Sequence, residues 1–380
     1  MFRRGGHSQR LPFGWVSIDA ALGDVPEEPR WNTGALPLGV AMRFEVAGLG
    51  NALVDALVRI PNDAVLEELS LTRGLMHPVD HARWEVAKAA VEDLGIEVHT
   101  GGSCANTIAT LGLMGLETTF CGQVGDDDLG RLYAKRMHEA CGHECLHVSK
   151  DQPTGKVLAL ISTSDAERTM VTDLGASVQL PHIGSFAELI PEARILHVTG
   201  YLFLGGPMAD AAWEALRVAK EAGVPISLDV ADPFVVGAVK GSMWKAVKEY
   251  ADVVFLNAEE ASALTGLDAH QALDEVAKHA KTVIVKLGSK GSLVCHDGIV
   301  ERIEVHKTQA VDTTGAGDAY AAGYLYGFSK NWSPKACGEL GSRTASLAVS
   351  QVGAVVRDRE ALAGAVSAIS ERFQAVVPGK

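Results

Sequence analysis

The chain has 380 residues, a formal charge of −13 at pH 7 and 47% hydrophobic residues. That length allows one large domain or two around a sizeable core, and the acidic balance excludes an extended nucleic-acid or anionic-membrane surface while leaving a local phosphate site open. No apolar run approaches the about 20 residues of a membrane-spanning helix.

Residues 1–42 show no periodic pattern. Arg3 and Arg4 imitate the charged start of a signal peptide, but Gly5, Gly6, Pro12 and Asp19 interrupt any apolar segment behind them. Pro26, Pro29 and Pro37 suggest a loosely ordered extension. Met42 directly precedes the first clear strand, over 44–49. The folded domain is expected to start there and to run to about residue 375, and an alternative translation start at Met42 is one reading of the pattern. Six cysteines without a secretion signal read as reduced thiols of a cytoplasmic protein.

A second extended segment, 52–60, carries one acid, Asp55, in an apolar run. Helical periodicity covers 62–71 and 79–94. A strand over 96–100 leads into Gly101-Gly102-Ser103, with Ser103 the expected cap of a helix over 104–114. A strand over 118–124 and a helix over 127–140 come next. His138, Cys141, His143, Cys145 and His147 have ligand types that suit zinc. A helix end running into a strand would scatter them, so ordinary packing is expected. Segments 156–162 and 168–173 read as a hairpin around Ser164-Asp165-Ala166.

Beyond Pro181 the alternation is regular. Strands are expected over 195–199, 225–229, 253–256 and 282–286, and helices over 208–221, 236–250, 259–264 and 269–279. A hairpin (293–296 and 299–305) and helices over 319–328, 334–350 and 358–373 close the chain. Repeated βαβ units imply a three-layer α/β fold with a mostly parallel sheet. The strands over 52–60, 96–100 and 156–173 fall outside this alternation and could form a small β lid. Ligands of such folds sit at the carboxyl ends of the parallel strands.

The run Val311-Asp312-Thr313-Thr314-Gly315-Ala316-Gly317-Asp318 precedes a helical pattern. Small residues leave its backbone N–H groups bare, and the helix dipole adds positive potential, so the turn favours an anion. Asp318 could cap the helix or act as a general base. A mere cap does not require three consecutive small residues. The wording D-T-T-G-A-G-D resembles the anion-hole motif of the ribokinase-type (PfkB) sugar and nucleoside kinases. Membership would imply a ribokinase-like α/β/α fold, ATP and Mg²⁺ as cofactors, and a small nucleoside or sugar as partner.

Other segments carry the same resemblance in the family's order. Gly101-Gly102-Ser103-Cys104-Ala105-Asn106 reads locally as a strand-to-helix turn. It resembles the G-G-x-x-x-N element that opens the sugar site. Asn257-Ala258-Glu259-Glu260 reads as an N-cap with first-turn acids. It resembles the N-x-x-E motif, whose Asn and Glu hold Mg²⁺ through water, a sparse ligand set that suits this ion. Val285-Lys286-Leu287-Gly288-Ser289-Lys290-Gly291 resembles the turn beneath the nucleotide, and Lys286 stands where family members often carry Thr.

Gly50-Asn51-Ala52-Leu53-Val54-Asp55 resembles the opening of the adenosine kinase branch, as do the 167–176 segment and Asp232-Pro233-Phe234. Thr314 follows the sugar-kinase wording; animal adenosine kinases carry Asn there. The resemblance implies phosphorylation of a primary hydroxyl, adenosine to AMP, with fructokinase, ribokinase or another sugar kinase as the alternative. Asp318 would be the base and the N–H groups of Gly315, Ala316 and Gly317 the anion hole. Asp55, Gly101, Gly102 and Asn106 would hold the acceptor, with Tyr201 either stacking on a base or packing as an interior aromatic. Asn257, Lys286, Gly288, Gly291 and Thr313 would hold ATP, and Asn257 with Glu260 the magnesium water. The lid would close over the sugar and exclude water.

Two rival classes fit the residues less well. A nicotinamide-dependent dehydrogenase needs G-x-G-x-x-G after the first strand; Gly48-Leu49-Gly50 begins it, but Leu53 takes the third glycine's place and Pro61 breaks the segment behind it. A non-catalytic sensor would not need Asp318, Asn257 and Glu260 together. Both a monomer and a homodimer are compatible with the sequence.

Overall fold

The apolar, β-branched runs VVFLN and TVIVK become neighbouring strands buried on both faces, as parallel strands covered by helices must be. The computed structural model describes residues 42–374 apart from 166, so the expected extension lies, but for Met42, outside the described residues. In chain order the strands are β1 (Val46–Leu49), β2 (Leu53–Ile60), β3 (Met76–Pro78), β4 (Glu97–Gly101) and β5 (Thr118–Gly125). Then come β6 (Glu144–Ser149), β7 (Gly155–Ser162), β8 (Arg168–Asp173), β9 (Leu196–Thr199) and β10 (Ile226–Asp229). The last are β11 (Val253–Asn257), β12 (Thr282–Lys286), β13 (Ser292–His296) and β14 (Ile299–Ile303).

The described residues form two compact units. The larger comprises 42–54, 100–155 and 174–374. Its nine-stranded sheet has the order β14-β13-β12-β11-β10-β9-β1-β5-β6. It is parallel from β12 to β6, and the hairpin β13–β14 adds two antiparallel strands at one edge. The pleat assigns successive residues to opposite faces. Val254 and Leu256 enter a core with Ala211, Ala215 and Val247, whereas Phe255 packs edge-on against Tyr324 of the Ala316–Ser329 helix. Helices therefore cover both faces, as expected. β10, β11 and β12 end side by side at Asp229, Asn257 and Lys286.

The smaller unit comprises 55–99 and 156–173. The strands expected outside the alternation do gather in one sheet, ordered β3-β8-β7-β2-β4. No sequence pattern announces β3. Three residues carry no period, and only parallel pairing with β8 makes them a strand. The helices here are also shorter than expected. Ala64–Glu68 ends where Ser70 takes φ 54, and His81–Ala89 starts only after Asp80 caps it, with one further turn at Glu92–Leu94. Lys156 and Asp173 form a buried ion pair at 2.9 Å, with the ammonium 5.0 Å from the Trp84 ring centroid.

The histidine and cysteine cluster has ordinary partners. His138 pairs with Glu144 at 2.8 Å, His143 hydrogen-bonds Thr119 at 2.9 Å, and His147 packs edge-on against His182. Among the described residues, no helix is long and apolar enough to cross a membrane.

Candidate active site

The ends of β10, β11 and β12, the turn after β12 and the start of the Ala316–Ser329 helix line one cavity of about 870 Å³. Ligand pockets commonly have about 300–1,000 Å³. Every element of this cavity belongs to the larger unit.

The helix start is built by its glycines and one aspartate. Gly315 takes φ 72 at the cap position, and a Cβ there would come within 2.6 Å of the Ala354 backbone. Asp312 pins the turn, its carboxylate accepting from the N–H of Thr314 at 2.8 Å and of Gly353 at 3.0 Å. The helix begins at Ala316, not Ala319 as the glycines suggested. Asp318 therefore lies within the first turn, and its side chain makes no cap bond. Instead the Ser103 hydroxyl donates to Oδ1 at 2.6 Å, and Asn106 Nδ2 donates to Oδ2 at 2.9 Å. Burial pushes the Asp318 carboxyl up to about 6; the bonds from Ser103 and Asn106 and the Lys286 charge pull the other way, and Asp229 adds to the rise.

Ser103 corrects the expected cap. Gly102, at φ 96, occupies the cap position of the Ser103–Leu113 helix, where a Cβ would overlap the Asn51 carbonyl. That leaves Ser103 as the first helical residue, facing Asp318. Gly101 ends β4, and its carbonyl accepts from the Tyr133 hydroxyl at 3.3 Å.

Lys286 ends β12 with its Nζ 2.9 Å from Oδ2 of Asp229; the two side chains are 15% and 5% exposed. Burial alone would push this ammonium down, but Asp229 and Glu260 reverse that and raise it. Asp229, absent from the sequence-based set, also accepts from the Ala231 N–H at 3.0 Å. Asn257 and Glu260 form a full capping box. Asn257 Oδ1 accepts from the Glu260 N–H at 2.8 Å, and Glu260 Oε2 accepts from the Asn257 N–H at 2.7 Å. Burial pushes the Glu260 carboxyl up; Lys286 opposes this and Asp229 adds to it.

Thr313, Gly288, Gly291 and Tyr201 also line the cavity. Gly291 takes φ 85, and a Cβ there would overlap the Ile303 carbonyl. Tyr201 is half-buried in the turn after β9, and burial pushes its hydroxyl well above the usual range. Asn106 joins the group through Asp318. Asp55 lies on β2, half-buried, in the smaller unit. The cavity thus combines a carboxylate tuned toward neutrality, a helix N-terminus opened by Gly315 and a fixed ammonium. Such a set can take a proton from a hydroxyl and hold an anion.

The chain matches the model of the pfkB family carbohydrate kinases over residues 77–360. A 5-dehydro-2-deoxygluconokinase of Geobacillus thermodenitrificans is 28% identical over 289 residues, 70% of this chain and 83% of that protein. A ribokinase of Arabidopsis thaliana is 30% identical over 269 residues, 67% of this chain and 68% of that protein. The crystal structure of an adenosine kinase from Sinorhizobium meliloti superposes with a TM-score of 0.77 at 30% identity, covering 86% of this chain and 99% of that one.

Proposed function

Because the chain belongs to the PfkB family of carbohydrate kinases, and so is an ATP-dependent kinase with an alcohol group as acceptor, we propose that it phosphorylates the primary hydroxyl of adenosine to give AMP. The observation that carries the chemistry is Asp318, fixed by Ser103 and Asn106 beside the Gly315–Gly317 turn. The acceptor hydroxyl gives its proton to Asp318 as its oxygen bonds to the γ-phosphorus and the bond to the β-phosphate oxygen breaks, releasing ADP. The N–H groups of Gly315, Ala316 and Gly317 face the charge that develops on the phosphoryl oxygens. Thr313, Gly288, Gly291 and Asn257 are assigned to the nucleotide, and Lys286 to the γ-phosphoryl group that ATP gives up and ADP lacks. Gly101, Gly102 and Asn106 are assigned to the acceptor, Asp55 to its sugar hydroxyls and Tyr201 to its base.

Magnesium fits the donor set. Glu260 is pushed up among acids that outnumber the single ammonium, so a divalent cation would relieve a crowd of negative charge. Asn257 and Glu260 would hold it through water, and it would neutralise phosphate charge.

Adenosine is favoured over a free sugar by the Gly50–Asp55 motif and by the likeness to the Sinorhizobium adenosine kinase across nearly all of that chain. A sugar or sugar-acid acceptor is the second reading, favoured by the likeness to the deoxygluconokinase and the ribokinase. A coupled ADP-release screen decides between them, with adenosine, inosine, ribose, fructose, 2-keto-3-deoxygluconate and 5-dehydro-2-deoxygluconate as acceptors. The first reading expects adenosine to give the highest kcat/KM. A sugar or sugar acid surpassing it by tenfold or more would replace it.

A further inference from the structure

We propose that Lys286 is a catalytic residue that grips the phosphoryl group during transfer, and that Asp229 is the positioning residue that aims it. This deepens the kinase reading and rests on it.

A buried lysine needs a reason. Taking an ammonium out of water costs several kcal/mol, and lysines at strand ends ordinarily reach solvent. Lys286 instead lies over the strand ends with its side chain 15% exposed. Its one hydrogen-bond partner among the described residues is Asp229 Oδ2, at 2.9 Å. Asp229 closes β10 and Lys286 closes β12, with β11 between them. The ion pair therefore bridges the end of β11 and holds the ammonium at the cavity wall, a place that sheet packing alone does not demand. Asp229 is itself tied down through Oδ1 to the Ala231 N–H.

The direction of the ammonium is what makes it more than a buried pair. A Cβ built on Gly317 would meet Lys286 Nζ at 3.2 Å and nothing else within 4 Å. Gly317 keeps ordinary helical φ, so no backbone strain excludes a side chain there. The space is kept open beside a cation. Lys286 thus faces the first turn of the Ala316–Ser329 helix beside Gly317, with the Asp318 carboxylate in the same cavity; of that turn's N–H groups, Ala316 reaches the Thr313 carbonyl at 3.3 Å. An ammonium has three N–H donors, and Asp229 takes one. The others are available to oxygens of a phosphoryl group passing through that cavity. A loose phosphoryl transition state spreads its charge over three equatorial oxygens, and a cation fixed beside them stabilises that charge more than it stabilises ground-state ATP. Lys286 keeps its proton throughout; the acceptor's proton goes to Asp318.

A purely structural ion pair is the competing account, and a double variant separates the two. Lys286→Met alone leaves Asp229 charged and buried without its partner, so it could lose activity by misfolding. Lys286→Met combined with Asp229→Asn removes both charges. The expected result is a folded double variant whose kcat is about 100- to 1,000-fold below wild type, with the KM for ATP and the calorimetric affinity for ADP changed by less than about threefold, as loss of a group acting only in transfer requires. Its affinity for ADP with aluminium fluoride and acceptor, a mimic of the transferring group, falls in step with kcat. Asp229→Asn alone keeps the ammonium but frees it, and loses about tenfold in kcat. A double variant within tenfold of wild-type kcat, or one that loses ADP and the mimic equally, overturns the assignment of Lys286. A wild-type chain that releases no ADP with any acceptor overturns the kinase reading and this proposal together, which keeps the two failures apart.

Discussion

The Ser103 hydroxyl donates a 2.6 Å hydrogen bond to Oδ1 of Asp318 across 215 positions of sequence. Together with Asn106, one turn further along the same helix, it occupies both carboxylate oxygens. The bonds favour the charged form while burial favours the neutral one, and burial prevails, leaving Asp318 near 6. A base must be unprotonated to act, so kcat/KM for the free enzyme should fall tenfold per pH unit below about 6 and be level above it. Ser103→Ala removes a bond that holds the carboxylate charged, so the acid limb should move up by about half a unit to one unit. A pH profile in which that variant's limb stays put or moves down removes Ser103 from this role.

Asp318→Asn separates catalysis from stability. The folded carboxyl, at about 6, lies above its ordinary 3.8. The folded state therefore binds more protons than the unfolded chain between these values, and stability falls as pH rises through that window. The full penalty, at most about 3 kcal/mol, is present at pH 7 and absent below the unfolded value. The amide removes it, its oxygen accepting from Asn106 and its NH2 donating to the Ser103 hydroxyl, but these bonds lose their charge assistance, so a net gain of about 1 kcal/mol at pH 7 is expected, with none at pH 3.5. In the same protein kcat should drop by about three orders of magnitude. Retention of a tenth of the activity removes Asp318 from the role of base.

The two glycines of the turn should fail differently. Gly315 combines φ 72 with Ala354 at 2.5–2.6 Å from a Cβ, so Gly315→Ala meets both strain and backbone. A loss of about 2–4 kcal/mol in urea unfolding is expected. Gly317→Ala meets only the tip of Lys286. It should fold with a midpoint close to wild type yet lose activity at least tenfold, because the methyl displaces the ammonium. Equal instability of the two variants would contradict this.

Glu260→Gln tests the metal. Glutamine at the third helical position still completes a capping box, so the Asn257 cap should survive and the thermal midpoint should shift little. The magnesium concentration for half-maximal rate should rise about tenfold or more, as expected when an outer-shell carboxylate is lost. An unchanged magnesium titration would place the ion elsewhere.

The legible parts of this molecule are those with a local cause. VVFLN is apolar at every position up to the last and TVIVK between its first and last, so a parallel strand can be read without knowledge of neighbours. Gly315 is legible because a residue that opens a helix at positive φ against a neighbouring backbone has to be a glycine. Ser103 misleads for the opposite reason. A serine before a helix satisfies local cap chemistry, and only the Ala316–Ser329 helix turns its hydroxyl inward. Asp229 gives no local signal either, since its partner stands 57 positions away. β3 exists only by pairing with β8.

In the smaller unit Lys156 and Asp173, with side chains 2% and 7% exposed, meet at 2.9 Å across the antiparallel pair β7–β8. His81 Nδ1 lies 3.0 Å from the ammonium and 3.6 Å from Asp173, and the Trp84 ring lies beneath the cation. Two charges taken out of water gain little over an apolar pair of the same size, but one left alone is costly. Lys156→Met should therefore lower stability by about 3–5 kcal/mol, and adding Asp173→Leu should return most of it. Urea unfolding of the wild type, both single variants and the double variant gives the coupling directly. If the double variant is no more stable than Lys156→Met, the pair owes its place to neighbours such as His81 and not to the mutual neutralisation of two buried charges.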